Sequence, residues 1–195
     1  MAARSEAEVT SLLVSKAPPG RAGFFTKGFR SGREDNHALY GGRVSKSAVR
    51  SPMKCVVDTN IFNKLIDGSL STEDIPADTE LMATHVQIDE LNRTRDDERR
   101  ARLFLRFATL VDSVIPTEST VLGVSRLNHS KLSDGGLYNR LKTDLDSLNK
   151  GKTNNTQDVL IAEVAIANGH TLLTADYHLA TVAKKHGCTV RHFAL

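Results

Sequence analysis

Tryptophan is absent from this 195-residue chain, and aromatic residues make up only 5% of it. That scarcity disfavours a single-strand nucleic-acid platform built from stacked rings. Cysteine is scarce too. Cys55 and Cys188 are too few for a disulfide framework or a metal knuckle, and both read as small buried hydrophobes in a reducing compartment, the cytoplasm. No apolar run approaches the roughly 20 residues that span a bilayer, so no membrane partner is expected. The first residues carry charges but lack the apolar segment of about 7–15 residues that marks a secretory signal. His85, His178, His186 and His192 fall near predicted element ends, and none pairs with another at ligand spacing.

Hydrophobic residues make up 39% of the chain and charged residues 25%, ordinary values for a globular protein. The charge is unevenly placed. Residues 1–52 hold nine Lys/Arg against four Asp/Glu, whereas residues 53–195 hold 17 against 19. The body is therefore not a basic nucleic-acid binder by composition. The stretch before Met53 is rich in Gly, Ser, Arg and Pro, and beyond "AEVTSLLV" it has little apolar surface to offset ordering entropy. It reads as a basic leader, either a disordered arm or sequence upstream of a true start at Met53. Its acids, Glu6, Glu8, Glu34 and Asp35, argue against an organellar transit peptide.

From Met53 the pattern alternates short apolar strands with helices. "CVVD", "ELMATH" (80–85), "SVIPT", "TLLTAD" and "TVRHFAL" read as strands. Helices are expected near 60–67, over "VQIDELNRT", over 96–111, over 136–148 with Leu137, Leu141, Leu145 and Leu148 on one stripe, over 156–167 and over 177–186. The 156–167 segment is apolar on nearly every face, which marks a buried helix. This alternation predicts an α/β fold, a three-layer α/β/α arrangement around a central, mostly parallel sheet.

In open α/β sheets, ligands bind outside the carboxyl ends of the strands. Asp58 follows the first strand, Glu90 lies in the helix after the second, Asp176 follows "TLLTA", and Asp158 sits in the first turn of the buried helix. Taken singly, Asp158 could serve the helix dipole, Asp176 could cap a helix, and Glu90 could be solvated, as its neighbour Asp89 is expected to be. Asp58 is harder to explain, because a carboxylate at the end of a central strand needs a partner for its charge. Four acids on one edge repel each other, and no Lys or Arg lies at a matching strand end to neutralise them. A hard divalent cation held by oxygen ligands, Mg²⁺ or Mn²⁺, resolves the conflict.

The segments "VVDTNIF", "QIDEL", "NNTQDVLIAEVAIANG" and "LLTADYHLATVAKKHG" resemble, in order and spacing, the motifs of the PIN-domain ribonucleases, and among them the VapC-like toxins of toxin–antitoxin pairs. The resemblance spans about residues 53–193. It implies an acidic metal site of Asp58, Glu90, Asp158 and Asp176, with Asn60 orienting the first aspartate and Thr174 offering its hydroxyl. It also implies Mg²⁺- or Mn²⁺-dependent endonucleolytic hydrolysis of RNA, in which an activated water attacks phosphorus and the 3′-oxygen leaves. The implied partners are RNA, a small antitoxin protein, and further copies of the chain in a homodimer or higher oligomer. Two features depart from the family's pattern: a long polar stretch over 112–153, and the leader. The family also includes RNA-processing nucleases and non-catalytic binding members, which stand as alternatives. A haloacid-dehalogenase-like phosphatase also begins with an aspartate after its first strand, but it needs a second aspartate two residues on, where this chain has Asn60.

Overall fold

The computed structural model describes residues 51–149, 152 and 154–194. The expected leader, apart from Ser51 and Pro52, lies outside the described residues. Five strands form one sheet: β1 (Met53–Val57), β2 (Thr79–Ala83), β3 (Ser113–Val114), β4 (Thr171–Thr174) and β5 (Val190–His192). Their order is β3-β2-β1-β4-β5 and every pairing is parallel. The expected sheet is thus fully parallel, with the strand that ends at Asp58 in its centre.

Among the described residues, six α-helices follow in sequence: α1 (Thr59–Ile66), α2 (His85–Asn92), α3 (Asp97–Leu110), α4 (Gly136–Leu148), α5 (Asn155–Ala167) and α6 (Tyr177–Lys185). The alternation of side chains along each strand explains the layers. Val56 and Leu172 face one apolar cluster with Leu141, Leu145, Ile161, Val164, Leu179 and Val182. Their neighbours Cys55, Val57 and Leu173 face a second cluster with Ile61, Phe62, Leu65, Leu103 and Phe107. Both faces of the sheet are therefore covered, by α4, α5 and α6 on one side and by α1 and α3 on the other. This is the three-layer α/β/α arrangement.

Boundaries shift where local bonding overrides apolar pattern. "ELMATH" does not continue as strand to residue 85. Thr84 instead caps α2, its hydroxyl accepting from the Val86 amide at 3.1 Å, and Gln87 closes a capping box by accepting from the Thr84 amide at 2.8 Å. Helix α3 is closed at its start by Asp96, which accepts from the Arg99 amide at 3.0 Å. The last strand shrinks to three residues and β3 to two. In α4, Leu141 and Leu145 are fully buried, but Leu148, expected on the same stripe, is 48% exposed at the helix end. Both cysteines are buried and form no disulfide, and burial pushes the Cys55 thiol up to about 11, consistent with an inert packing role. Among the described residues, no helix is long and apolar enough to cross a membrane.

Candidate active site

The C-terminal edge of the central strands carries a pocket of about 300 Å³ lined by Asp58, Thr59, Asn60, Asn63, Glu90, Lys152, Asn154 and Asp158. Three of the four sequence-predicted carboxylates thus share one cavity, although 100 residues separate the first from the last. Asp176 does not line the cavity; it reaches the site through its partners.

Asp58 is the buried centre. Its amide donates to the Leu173 carbonyl at 2.9 Å, extending the β1–β4 ladder by one residue and fixing where the side chain emerges. Although it stands at the N-cap of α1, its carboxylate makes no capping bond. Instead Oδ2 accepts from Asn60 Nδ2 at 2.6 Å and from Thr174 Oγ1 at 2.6 Å. Asn60 Oδ1 in turn accepts from the Ala175 amide at 3.1 Å, and Thr174 Oγ1 accepts from the Asp176 amide at 2.9 Å. The start of α1 and the β4–α6 turn are therefore one hydrogen-bonded unit, with Asn60 and Thr174 on Asp58 as expected. Burial pushes the Asp58 carboxyl up to about 7, the Asp158, Glu90 and Asp176 charges add to the rise, and the Thr174 hydroxyl opposes it.

Glu90 projects from α2 and accepts a hydrogen bond from the Thr59 hydroxyl, so the residue after Asp58 holds the second acid. Burial raises its pKa against that bond. The solvated alternative for Glu90 therefore does not hold. Asp158 is buried in the first turn of α5, and burial raises its pKa too, opposed by Lys152. Asp176 does what its capping alternative requires: Oδ1 accepts from the His178 and Leu179 amides at 2.8 and 3.0 Å. Its pKa is lowered. Burial works against this, but the Lys152 ammonium and the two amides outweigh it.

Lys152 corrects one sequence expectation. No cation lies at a matching strand end, yet this lysine enters from the α4–α5 connection and neutralises part of the site. Its Nζ hydrogen-bonds to Asp176 Oδ2 and lies 3.1 Å from Asp158 Oδ2, an ion pair with no described donor aligned on that oxygen. Lys152 lies outside any helix or strand, so no periodic signal places it. Asp89 also differs from expectation: it is paired with Arg126 of the 115–135 loop, its side chain 22% exposed. Gln87 is a further residue the motifs do not single out; its Nε2 donates to the Val57 carbonyl at 2.7 Å, directly before Asp58.

The remaining candidates stay outside the pocket. His186 pairs with Asp144 at 2.7 Å and His178 with Asn149. Tyr177, at the start of α6, is largely exposed and meets His178 and His192 edge-on. In the 93–102 run, Arg99 bridges Asp67 at 2.8 Å and Asn63 at 3.0 Å, and Arg100 pairs with Asp97 three residues away.

Among the described residues, no three His, Cys, Asp or Glu side chains are grouped closely enough to hold one metal ion. The donor chemistry nevertheless fits a hard divalent cation. The acids contribute oxygen only, and Asp58, Glu90 and Asp158 line one cavity with raised carboxyl pKa values, so negative charge there is under-compensated. Lys152 contacts two of the four acids, Asp158 and Asp176.

No protein-family model matches the chain, and comparison with curated proteins finds no match. Among solved structures, the chain is similar to VapBC2 from Rickettsia felis, solved bound to a DNA fragment from its promoter, at 18% identity over 73% of this chain and 100% of that one, with a TM-score of 0.47. It is also similar to VapBC-1 from nontypeable Haemophilus influenzae, at 17% identity over 72% of this chain and 98% of that one, with a TM-score of 0.47. A third similar structure is VapBC-5 from Mycobacterium tuberculosis, a member of the VapBC family of toxin–antitoxin systems, at 18% identity over 74% of this chain and 100% of that one, with a TM-score of 0.43.

Proposed function

We propose that the protein is a divalent-metal-dependent endoribonuclease, a hydrolase of RNA phosphodiesters, and the toxin of a toxin–antitoxin pair. The observation that carries the enzymatic reading is the meeting of Asp58, Glu90 and Asp158, from three distant segments, in one pocket at the carboxyl edge of the central strands. Asp58, Glu90, Asp158 and Asp176 would hold Mg²⁺ or Mn²⁺. The bound ion supplies Lewis acidity, making water nucleophilic and neutralising phosphate charge. The protein supplies position. Asn60 and Thr174 fix the Asp58 carboxylate, and Thr59 fixes Glu90. The small antitoxin and the homodimer or higher oligomer follow from the motif resemblance.

The test uses the purified full chain with total or transfer RNA and Mg²⁺, Mn²⁺ or a chelator. Cleavage is expected with either metal and should be abolished by chelator and by Asp58→Asn or Asp158→Asn in folded protein. Cleavage equal to wild type in both variants would point to a contaminating nuclease and sink the site assignment. For the toxin reading, strong expression should stop growth; normal growth while the enzyme cleaves RNA favours an RNA-processing nuclease.

One observation favours a second reading, a non-catalytic RNA- or protein-binding domain. Lys152 already neutralises two of the acids, and no three described acids share one point. RNA binding without cleavage in either metal would establish it.

A further inference from the structure

We propose that Lys152 is a tethered counter-cation of the acid site, one that occupies Asp158 and Asp176 in the metal-free protein and competes with the divalent ion for them. This role rests on the metal-dependent reading above and concerns how that site is loaded.

The four acids are neutralised in two different ways. Asp58 and Glu90 take their side-chain hydrogen bonds from neutral donors, the Asn60 amide and the Thr174 and Thr59 hydroxyls, and the Arg93 and Lys152 charges act on Glu90 only through space. Asp158 and Asp176 share one ammonium. Asp176 is the telling member. Its Oδ1 is committed to the His178 and Leu179 amides and its Oδ2 to Lys152. Oδ1 is saturated by its two amides, so a divalent ion meets Asp176 at Oδ2, beside the ammonium, and repulsion between the two cations favours departure of the lysine. The cap is two backbone bonds at the start of a helix; the lysine is one side chain, 40% exposed, outside any helix or strand. Lysine carries a compact point charge on a flexible four-carbon stem, so it can swing into solvent where the cap cannot. Its own backbone stays anchored, the Lys152 amide donating to the Asn149 carbonyl at 3.1 Å. The displaced ammonium therefore remains tethered beside the pocket and returns when the metal leaves.

Exchange of a single for a double positive charge makes apparent metal affinity a difference between two cations' hold on the same carboxylates. The experiment is a Mn²⁺ titration by calorimetry on the full chain, comparing wild type with Lys152→Met, Lys152→Gln and Lys152→Arg, together with thermal melts of the metal-free proteins. Both neutral variants are expected to bind Mn²⁺ at least about tenfold more tightly, because no resident charge is displaced. Without metal they should melt lower than wild type and regain the difference on Mn²⁺ addition. Lys152→Arg should bind within about threefold of wild type, since its charge persists. Two neutral variants guard against one failing to fold. Equal or weaker Mn²⁺ binding by the neutral variants, with wild type binding normally, overturns the counter-cation and leaves the metal site standing. No Mn²⁺ binding by any of the proteins overturns both.

Discussion

The Thr174 hydroxyl donates to the Asp58 carboxylate at 2.6 Å, joining two residues 116 positions apart. The same oxygen accepts from the Asp176 amide at 2.9 Å. One side chain thereby sets the rotamer of the central acid and the start of the helix that Asp176 caps. Thr174→Val keeps the shape and removes both bonds. It is expected to cost about 1–3 kcal/mol, the usual penalty for leaving a buried polar group unpaired. RNA cleavage should drop by about tenfold or more in kcat, because the reacting geometry is lost while the RNA surface is intact. Chemical denaturation and steady-state cleavage check the two effects separately; unchanged values in both would show that Thr174 positions nothing.

Asp58 sets a pH dependence. Its carboxyl is pushed up to about 7, against an ordinary value of 3.8. Between those values the folded protein holds a proton that the unfolded chain has lost, so metal-free stability falls as pH rises from about 4 to about 7. Asp58→Asn removes the ionisation. In chelator at pH 8 the variant should be more stable than wild type, by on the order of 1–3 kcal/mol, with the gap closing toward pH 4. Urea midpoints across that range decide the matter, and parallel curves for the two proteins refute it.

Glu163 offers a second titration, away from the pocket. It is 2% exposed within α5 and accepts from Ser119 Oγ at 2.7 Å, while Ser119 also contacts Ser133 at 2.7 Å. Burial is the main cause of its raised pKa, and the Glu118 charge adds to it. The sign is the same as for Asp58: the stabilising proton is held below the ordinary glutamate range and lost as pH rises through the folded value. In an Asp58→Asn background, Glu163→Gln should make the remaining decline in stability above the ordinary glutamate range shallower, with Glu90 and Asp158 accounting for the rest. A slope unchanged by the second substitution excludes Glu163 as its source.

Gln87 ties the second strand–helix unit to the first. Its Oε1 accepts from the Thr84 amide and hydroxyl at 2.8 and 2.6 Å, and its Nε2 donates to the Val57 carbonyl at 2.7 Å. Gln87→Leu strands three buried polar groups and is expected to cost about 2–4 kcal/mol. Because Val57 precedes Asp58 and Glu90 lies three residues beyond Gln87, metal-dependent cleavage should weaken as well. A melting temperature within a degree of wild type would contradict the latch.

Strand and helix identities followed from period alone. The short apolar runs and the 3.6-residue stripes over 96–111 and 136–148 left little choice, since one face of each element had to be buried. Boundaries did not follow, because caps rather than apolarity end elements: Thr84 and Gln87 convert the end of "ELMATH" into a helix start.

The acids Asp58, Glu90 and Asp158 were legible because the topology rule places ligands at strand ends, and the sheet gathers all three around one pocket. Their partners were not equally legible. Asn60, Thr174 and Gln87 sit within the motifs, although no spacing encodes what Gln87 bonds, whereas Lys152 lies outside them. The sequence by itself determined the layers, the central strand and the residues at its end, since burial of alternating apolar side chains is a local constraint. Only the tertiary structure decided which cation answers the acids. Charge pairing depends on separation in space, and a lysine outside any helix or strand has no period from which that separation can be read.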